Sequence, residues 1–541
     1  MSETAPHPDP DDTPVISARE QRFVIFAASL GTAFEWYDFY LYGSLAIVFS
    51  ALFFPPGNET AALIASLATF AVGFAVRPLG ALLFGSRGDR SGRKNTFLIT
   101  IVLMGLSTAG VGLLPGFSAI GWLAPAALLA LRVVQGLALG GEYGGASVYI
   151  AEHCEARRLG FKTSWLQTTT SLGFLLAMAL VLAVRSLMAT GDFAVWGWRV
   201  PFILSLPMLG VSLYIRTKLG ESPVFARMRA HGALSRTPLR DIFADPANRR
   251  AMLFALFATT MPLGVVSSLA SLAALVFLGG PMQMDTLDIY LVMTIALVVS
   301  TPVYVLAGWL SDYVGAARVI VGGSLLALVV IYPAFVGLER LANPGLVRFQ
   351  AATPIIVSAR DCHTRIFVTP AARLSSCDRA KDLLTRAGLS FTSTTAQAGQ
   401  PDVTTTFAGQ AITGFDPGVY KAELAKLGYP KPARLSVQAK LAIAAILAVL
   451  FGATGINSGP LSAYLTQRFA PQVRYSAVSF SYHVGNGIFG GFLPLIMSAL
   501  AISTGHILGG LWYPIVLLAV AVGVGLLHLR DRQAHWPQEA G

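Results

Sequence analysis

The chain has 541 residues, of which 54% are hydrophobic and only 12% charged, with a mean hydropathy of +0.62; a soluble protein of this length carries about 25% charged residues. The formal net charge is +11, yet the basic residues cluster in short segments between apolar runs, as membrane topology requires, so a nucleic-acid surface is excluded. What remains is an all-α polytopic membrane protein. Residues 1–22 are polar, proline-rich and acidic without an apolar core, so no cleavable signal peptide is expected and the first apolar run serves as the insertion signal.

Twelve apolar runs follow: 23–49, 61–84, 95–114, 122–150, 164–188, 198–216, 251–278, 288–310, 318–337, 437–466, 476–502 and 509–529. About 20 apolar residues cross a bilayer core. Arg87, Arg90, Arg93 and Lys94 lie between runs 2 and 3, and Arg157, Arg158 and Lys162 between runs 4 and 5. The segment between runs 6 and 7 holds Arg216, Lys218, Arg227, Arg229, Arg236, Arg240, Arg249 and Arg250. The 1–2, 3–4 and 7–8 connections carry no Lys or Arg. Basic loops stay inside, which predicts that both termini are cytoplasmic.

The first run contains GTAFEWYDFYLYG at 31–43, with Glu35 and Asp38 near its centre. A charge at that depth costs about 2.5–3.5 kcal/mol on insertion scales. Three residues apart, the two acids share one helix face, with Tyr42 a further turn along. Run 2 adds Arg77 in FAVRPLG, close enough to the cytoplasmic face for snorkelling to be its alternative. In run 4, LRVVQGLALGGEYGGA, a helical stripe holds Arg132, Gln135, Leu139 and Glu142. Its glycines, Gly136, Gly140, Gly141, Gly144 and Gly145, make small-xxx-small steps that admit a neighbouring helix. Fixed ion pairs between helices are the plain reading of these charges, but apolar contacts hold helices at less cost. A carboxylate whose neighbour changes can gain and lose a proton. Asp38 is therefore expected to exchange the coupled proton, with Glu35 and Glu142 in the same proton-coupling group. Arg132, Arg77, Gln135 and Tyr42 are the expected substrate contacts.

After run 2 comes GSRGDRSGRK, and after run 8 GWLSDYVGAAR. Gly85, Asp89 and Gly92 recur as Gly308, Asp312 and Gly315, each offset by 223 (308 − 85, 312 − 89, 315 − 92). Both copies follow the second run of a six-run half, so the chain reads as two halves related by a parallel repeat, with a site between them near the midplane. Asp89, Arg93 and Asp312 are expected to gate at the cytoplasmic edge. The division that follows is a tail at 1–22, a first half at 23–217, a central loop at 218–250, a second half at 251–337 and 437–529, and a tail at 530–541.

The second half is interrupted by residues 338–436, far longer than an ordinary connection. PIIVSA, RIFVT and DVTTTFAG read as strands, and CDRAKDLLTRAGL and PGVYKAELAKLGY as helices, which makes a small α/β insert on the periplasmic side. Cys362 and Cys377 fall within it and Cys154 in a cytoplasmic loop. The oxidising compartment favours a Cys362–Cys377 disulfide in a domain too small to build much core. A metal site is not expected, since only His363 stands near. Run 10, FGATGINSGPLSAY, suggests a broken helix at Asn457, Ser458 and Pro460 that lines a cavity. Run 11, SFSYHVGNGIFGGFLP, puts His483 and Asn486 on one face. Asn457, His483 and Asn486 complete the expected substrate contacts, with a structural role the alternative for His483.

GTAFEWYDFYLYG, RPLGALLFGSRGDRSGRK, LRVVQGLALGGEYGGA, the GESPVF after run 6 and RYSAVSFSYHVGNGIFGG together resemble the metabolite:proton symporter family of the major facilitator superfamily. The matches lie in both halves, in order. The resemblance implies the major facilitator fold of twelve transmembrane helices in two six-helix halves, and a bacterial inner-membrane importer driven by the proton gradient. Its implied substrates are α-ketoglutarate, citrate, shikimate, or proline and betaine. The insert departs from the family pattern, and His483 stands where the family has Asn. Osmolyte-sensing members carry a long C-terminal coiled coil; the short DRQAHWPQEAG after run 12 has no heptads, so a small organic acid is the expected substrate and a zwitterionic osmolyte the alternative. A receptor sensing a ligand through the insert would not require charges in several runs. No nucleophile-and-base set, phosphate loop or metal cluster suggests an enzyme, and no cofactor is expected. The expected partners are protons, a carboxylate substrate and the lipid bilayer, with the chain a monomer.

Overall fold

The computed structural model describes residues 17–56, 59–218, 220–235, 237–360, 362, 375–396, 402–430 and 434–534. The predicted strand RIFVT, His363 and most of both tails lie outside them. Among the described residues twelve helices cross the molecule. Span 1 is Ala18–Ser44. Span 2 is Glu59–Ala75 continued, after a break at Val76, by Arg77–Ser91. Spans 3 to 6 are Arg93–Leu113, Leu123–Glu152, Leu159–Leu187 and Phe193–Thr217. Spans 7 to 9 are Pro246–Gly279, Thr286–Val314 and Ala316–Ala342; spans 10 to 12 are Val437–Arg468, Arg474–Thr504 and Gly509–Leu529. Span 10 does break, at Gly459–Pro460, where the helix ending at Ser458 gives way to Leu461–Arg468. The two halves meet where span 2 packs on span 11 and span 5 on span 8, the pairing a six-span repeat demands.

The repeated motif has a physical reason at each position. Gly308 lies so close to span 5 that a Cβ there would sit 2.6 Å from the Gly160 carbonyl. Asp89 accepts hydrogen bonds from Tyr475 N (3.3 Å), Ser476 N (3.0 Å) and Ser476 Oγ (2.6 Å) in the first turn of span 11. Asp312 accepts from Gly160 N (2.7 Å) and Phe161 N (2.9 Å) at the start of span 5. Each aspartate thus caps a helix of the opposite half, where the free amides and the helix dipole favour a negative charge. Gly92 and Gly315 end their helices at φ +115° and +96°, a conformation that favours glycine. The copies also differ in their support. Arg93 joins Glu152, which also pairs with Arg474 at 3.2 Å, while the position 223 residues on is Ala316.

The insert lies at the other end of the bundle. Its sheet has the order β2–β1–β3–β4, with β1 (Ile355–Ala359) parallel to β2 (Thr392–Thr395) and antiparallel to β3 (Val403–Phe407), and β4 (Gln410–Thr413) antiparallel to β3. Helices Ser376–Arg386 and Pro417–Lys426 pack on it through Leu384 and Tyr420. Cys362 and Cys377 are joined as a disulfide, Cα atoms 5.4 Å apart. The insert docks on the second half: Phe391 N donates to Gly505 O (2.7 Å) between spans 11 and 12, and Gln283 Nε2 to Tyr429 OH (2.6 Å) between spans 7 and 8.

Candidate functional site

Beyond the cap network and Arg77, the first half buries charges in two clusters. Nearer the aspartate caps, Arg216 of span 6 pairs with Glu142 of span 4 and lies 3.6 Å from Glu35 of span 1. Its guanidinium stacks on Phe97 at 3.6 Å, and Thr100 Oγ1 donates to Glu142 at 3.4 Å. Gly31 makes room, because a Cβ there would collide with the guanidinium. Nearer the insert, Asp38 accepts from Thr108 Oγ1 at 3.0 Å, and Thr108 accepts from Gln135 Nε2 at 2.7 Å. Gln135 in turn accepts from Arg132, whose guanidinium lies 3.6 Å over the ring of Tyr42. The link from Arg132 to Asp38 therefore runs through two neutral side chains. Glu35 and Asp38, three residues apart, serve different clusters.

Between the clusters, at the interface of the halves, lies a cavity of about 20 Å³ lined by Thr32, Glu35, Trp36, Arg77, Leu139, Tyr143, Tyr482 and His483. That is room for a water or two. Arg77 is buried, its guanidinium 4.0 Å over Phe74, so it stands at the cavity and not at the lipid edge. The cavity is sealed towards the caps by Tyr143, stacked on Tyr482 with ring centroids 3.5 Å apart, and by Gln167, which donates to Tyr143 OH (2.7 Å) and Ser462 Oγ (2.9 Å) across the halves. Towards the insert, Leu272 of span 7 lies against Gly43 of span 1 and Phe74 of span 2 against Gly491 of span 11. Span 4 approaches span 2 through Gly136 and Gly140, where a Cβ would meet the carbonyls of Gly73 and Arg77.

Two expected contacts lie elsewhere. Asn457 accepts from Ser324 Oγ (2.9 Å) and donates to Ala453 O (3.2 Å), so it joins spans 9 and 10 within the second half. Asn486 packs its backbone against Gly264 of span 7. Three participants carried no obvious signal in the sequence. Arg216 ends an apolar run and counts with the basic loop that follows it. Thr108 and Glu152 become partners of Asp38 and Arg93 only once spans 1, 3 and 4 are packed. Among the described residues no group of three or more His, Cys, Asp and Glu is placed to hold a metal ion.

Residues 24–253 match the family model described as Sugar (and other) transporter. The chain is 43% identical over 214 residues to the proline/betaine transporter of Salmonella typhimurium, a match covering 40% of this chain and 43% of that transporter. It spans less than half of that relative's length. It is 33% identical over 345 residues to the shikimate transporter of Escherichia coli, covering 63% of this chain and 78% of the relative. Among solved structures, the proton:xylose symporter XylE, from E. coli, superposes with a TM-score of 0.59 at 16% identity, over 95% of this chain and 96% of that one.

Proposed function

The chain belongs to the metabolite:proton symporter family of the major facilitator superfamily, and from that membership we propose that it is a secondary active transporter importing a small organic acid with protons by alternating access. The observation that carries this reading is a small cavity between two halves, walled by Arg77 and Glu35, with the buried Asp38–Arg132 cluster beside it. Buried ionisable groups in membrane spans mark substrate and proton pathways. In this reading a carboxylate is held by Arg77 and, as the cavity opens, by Arg132. Asp38 exchanges the proton, because the neutral Thr108 and Gln135 leave its charge without a direct counter-ion. The aspartate caps hold the cytoplasmic end shut until the halves rock apart. Sidedness follows from the basic loops: termini and caps in the cytoplasm, insert in the periplasm, the whole in a bacterial inner membrane.

An osmolyte is the second reading, supported by the proline/betaine relative and by the aromatic lining, since aromatic faces hold quaternary ammonium groups. Here those faces are largely engaged: Tyr143 stacks on Tyr482, and Trp36 on Tyr40 at 5.7 Å. Arg77 also repels a second cation. Uptake into right-side-out vesicles of labelled shikimate, citrate, α-ketoglutarate and betaine separates the readings. We expect one of the acids to accumulate with an imposed proton gradient and to stop doing so when a protonophore collapses it. Accumulation of betaine alone would replace the organic acid with the osmolyte.

A further inference from the structure

Span 11 changes form where it passes the cavity. From His483 to Gly490 it winds as a π-helix, a form that occurs mostly as single-turn bulges, frequently at functional sites. The wider turn leaves the Ser481 carbonyl to the Thr260 hydroxyl of span 7, at 2.8 Å. His483 opens this turn, is 2% exposed, and faces the cavity shared with Arg77 and Glu35. Neither ring nitrogen makes a hydrogen bond of normal geometry, although the Leu139 backbone faces the ring; Tyr482 meets it edge-on at 5.0 Å. A buried polar group without a partner is costly. The neutral imidazole offers one N–H donor and one acceptor; the Leu139 backbone answers one side of the ring, which leaves the other facing a small cavity across from an arginine of the other half.

We propose that His483 is the second half's specificity residue: with a substrate carboxylate on Arg77, its imidazole hydrogen-bonds a hydroxyl of the same molecule, so that the site selects hydroxylated carboxylates. This rests on the organic-acid reading above. A hydroxyl answers whichever ring nitrogen faces it, because it both donates and accepts. An unhydroxylated acid leaves that nitrogen unpaired, and a betaine brings no hydroxyl and sets a cation beside Arg77. A site built to bond a hydroxyl discriminates strongly against the analogue lacking it. Such a substrate also bridges span 2 and span 11, and so draws the two halves together.

The test is equilibrium binding to the purified protein in nanodiscs, using matched acids with and without hydroxyls: shikimate against cyclohexenecarboxylate, malate against succinate, with betaine alongside. The wild type should prefer the hydroxylated member of its better pair by roughly 10-fold or more. His483→Ala should bring that ratio close to unity by weakening the hydroxylated acid alone. His483→Asn, which keeps a donor and an acceptor, should restore part of it. The ratio is taken within one preparation, so a smaller folded fraction does not move it. A ratio unchanged in His483→Ala overturns the inference and leaves the organic-acid reading standing. A wild type that binds betaine and none of the acids overturns that reading and the inference with it.

Discussion

Arg216 holds two carboxylates where burial removes nearly all solvent contact from the charges. Removing one partner from a buried pair costs about 3–5 kcal/mol, whereas replacing the whole pair by apolar groups is often neutral. Arg216→Met should therefore melt well below the wild type in detergent, and adding Glu142→Gln should recover part of the loss. Equal melting temperatures would mean that the triad bears no charge to balance. Asp38 has a different neighbourhood, neutral Thr108 and Gln135, and its prediction concerns energy coupling. Asp38→Asn should abolish uphill accumulation of substrate while exchange of internal for external substrate persists. A variant that still concentrates substrate would move the proton to another residue. The acids and Arg132 were legible in the sequence because charge stands out in an apolar run, and Gln135 and Tyr42 because they share the same helix stripes; Thr108 and Arg216, which engage the acids, were not. Glu35 and Asp38 lie on one face, yet the roughly 4.5 Å of helix rise between them is enough to deliver them to separate clusters. Arg216 reads as a loop charge until span 6 packs against span 1.

At the scale of helices, the two aspartate caps are equivalent in place but not in support. Asp89 takes three hydrogen bonds beside the Arg93–Glu152–Arg474 network, and Asp312 takes two with Ala316 where that arginine would be. A charge at a helix N-terminus contributes about 0.3–1 kcal/mol, up to ~2 when partly buried. Asp89→Asn should accordingly loosen the interface more than Asp312→Asn. The measure is alkylation of Ser462→Cys, which lies buried between the halves, with each asparagine in turn; equal rates in both would refute the ranking. The repeat itself could be read directly because its three positions answer three geometric demands: close approach, capping, and positive φ. Two strands of the insert could not. TSTT and QAIT are short, polar and mostly exposed, so they carry no alternation to distinguish an edge strand from a loop. The partner of Asn457 was hidden for a related reason: a polar residue beside a helix break suits a cavity wall, and only packing shows that Ser324 bonds it inside the half.

The molecule as a whole is two six-helix halves and a domain that, among the described residues, docks on the second of them. The disulfide closes a loop of 15 residues, which stabilises a small domain by roughly 3 kcal/mol on a model-dependent account. In intact cells a membrane-impermeant thiol reagent should label Cys362 and Cys377 only after reduction. Free labelling without reductant would exclude the bond in the cell, and labelling only after lysis would invert the proposed topology. Cys154 does not confuse the assay, since burial pushes its thiol up to about 11 and a protonated thiol reacts slowly.

The insert's attachments also bear on how the chain is made. It emerges after span 9, yet one of its anchors is Gly505, beyond span 11, and another lies before span 8, at Gln283. On the proposed topology the insert is exported before the last three helices of the chain are made. Only with those helices in place does its docking surface exist in full. The clasp between the earliest and latest hairpins of the second half therefore closes last, and the insert holds together the two ends of a half that its own emergence divides.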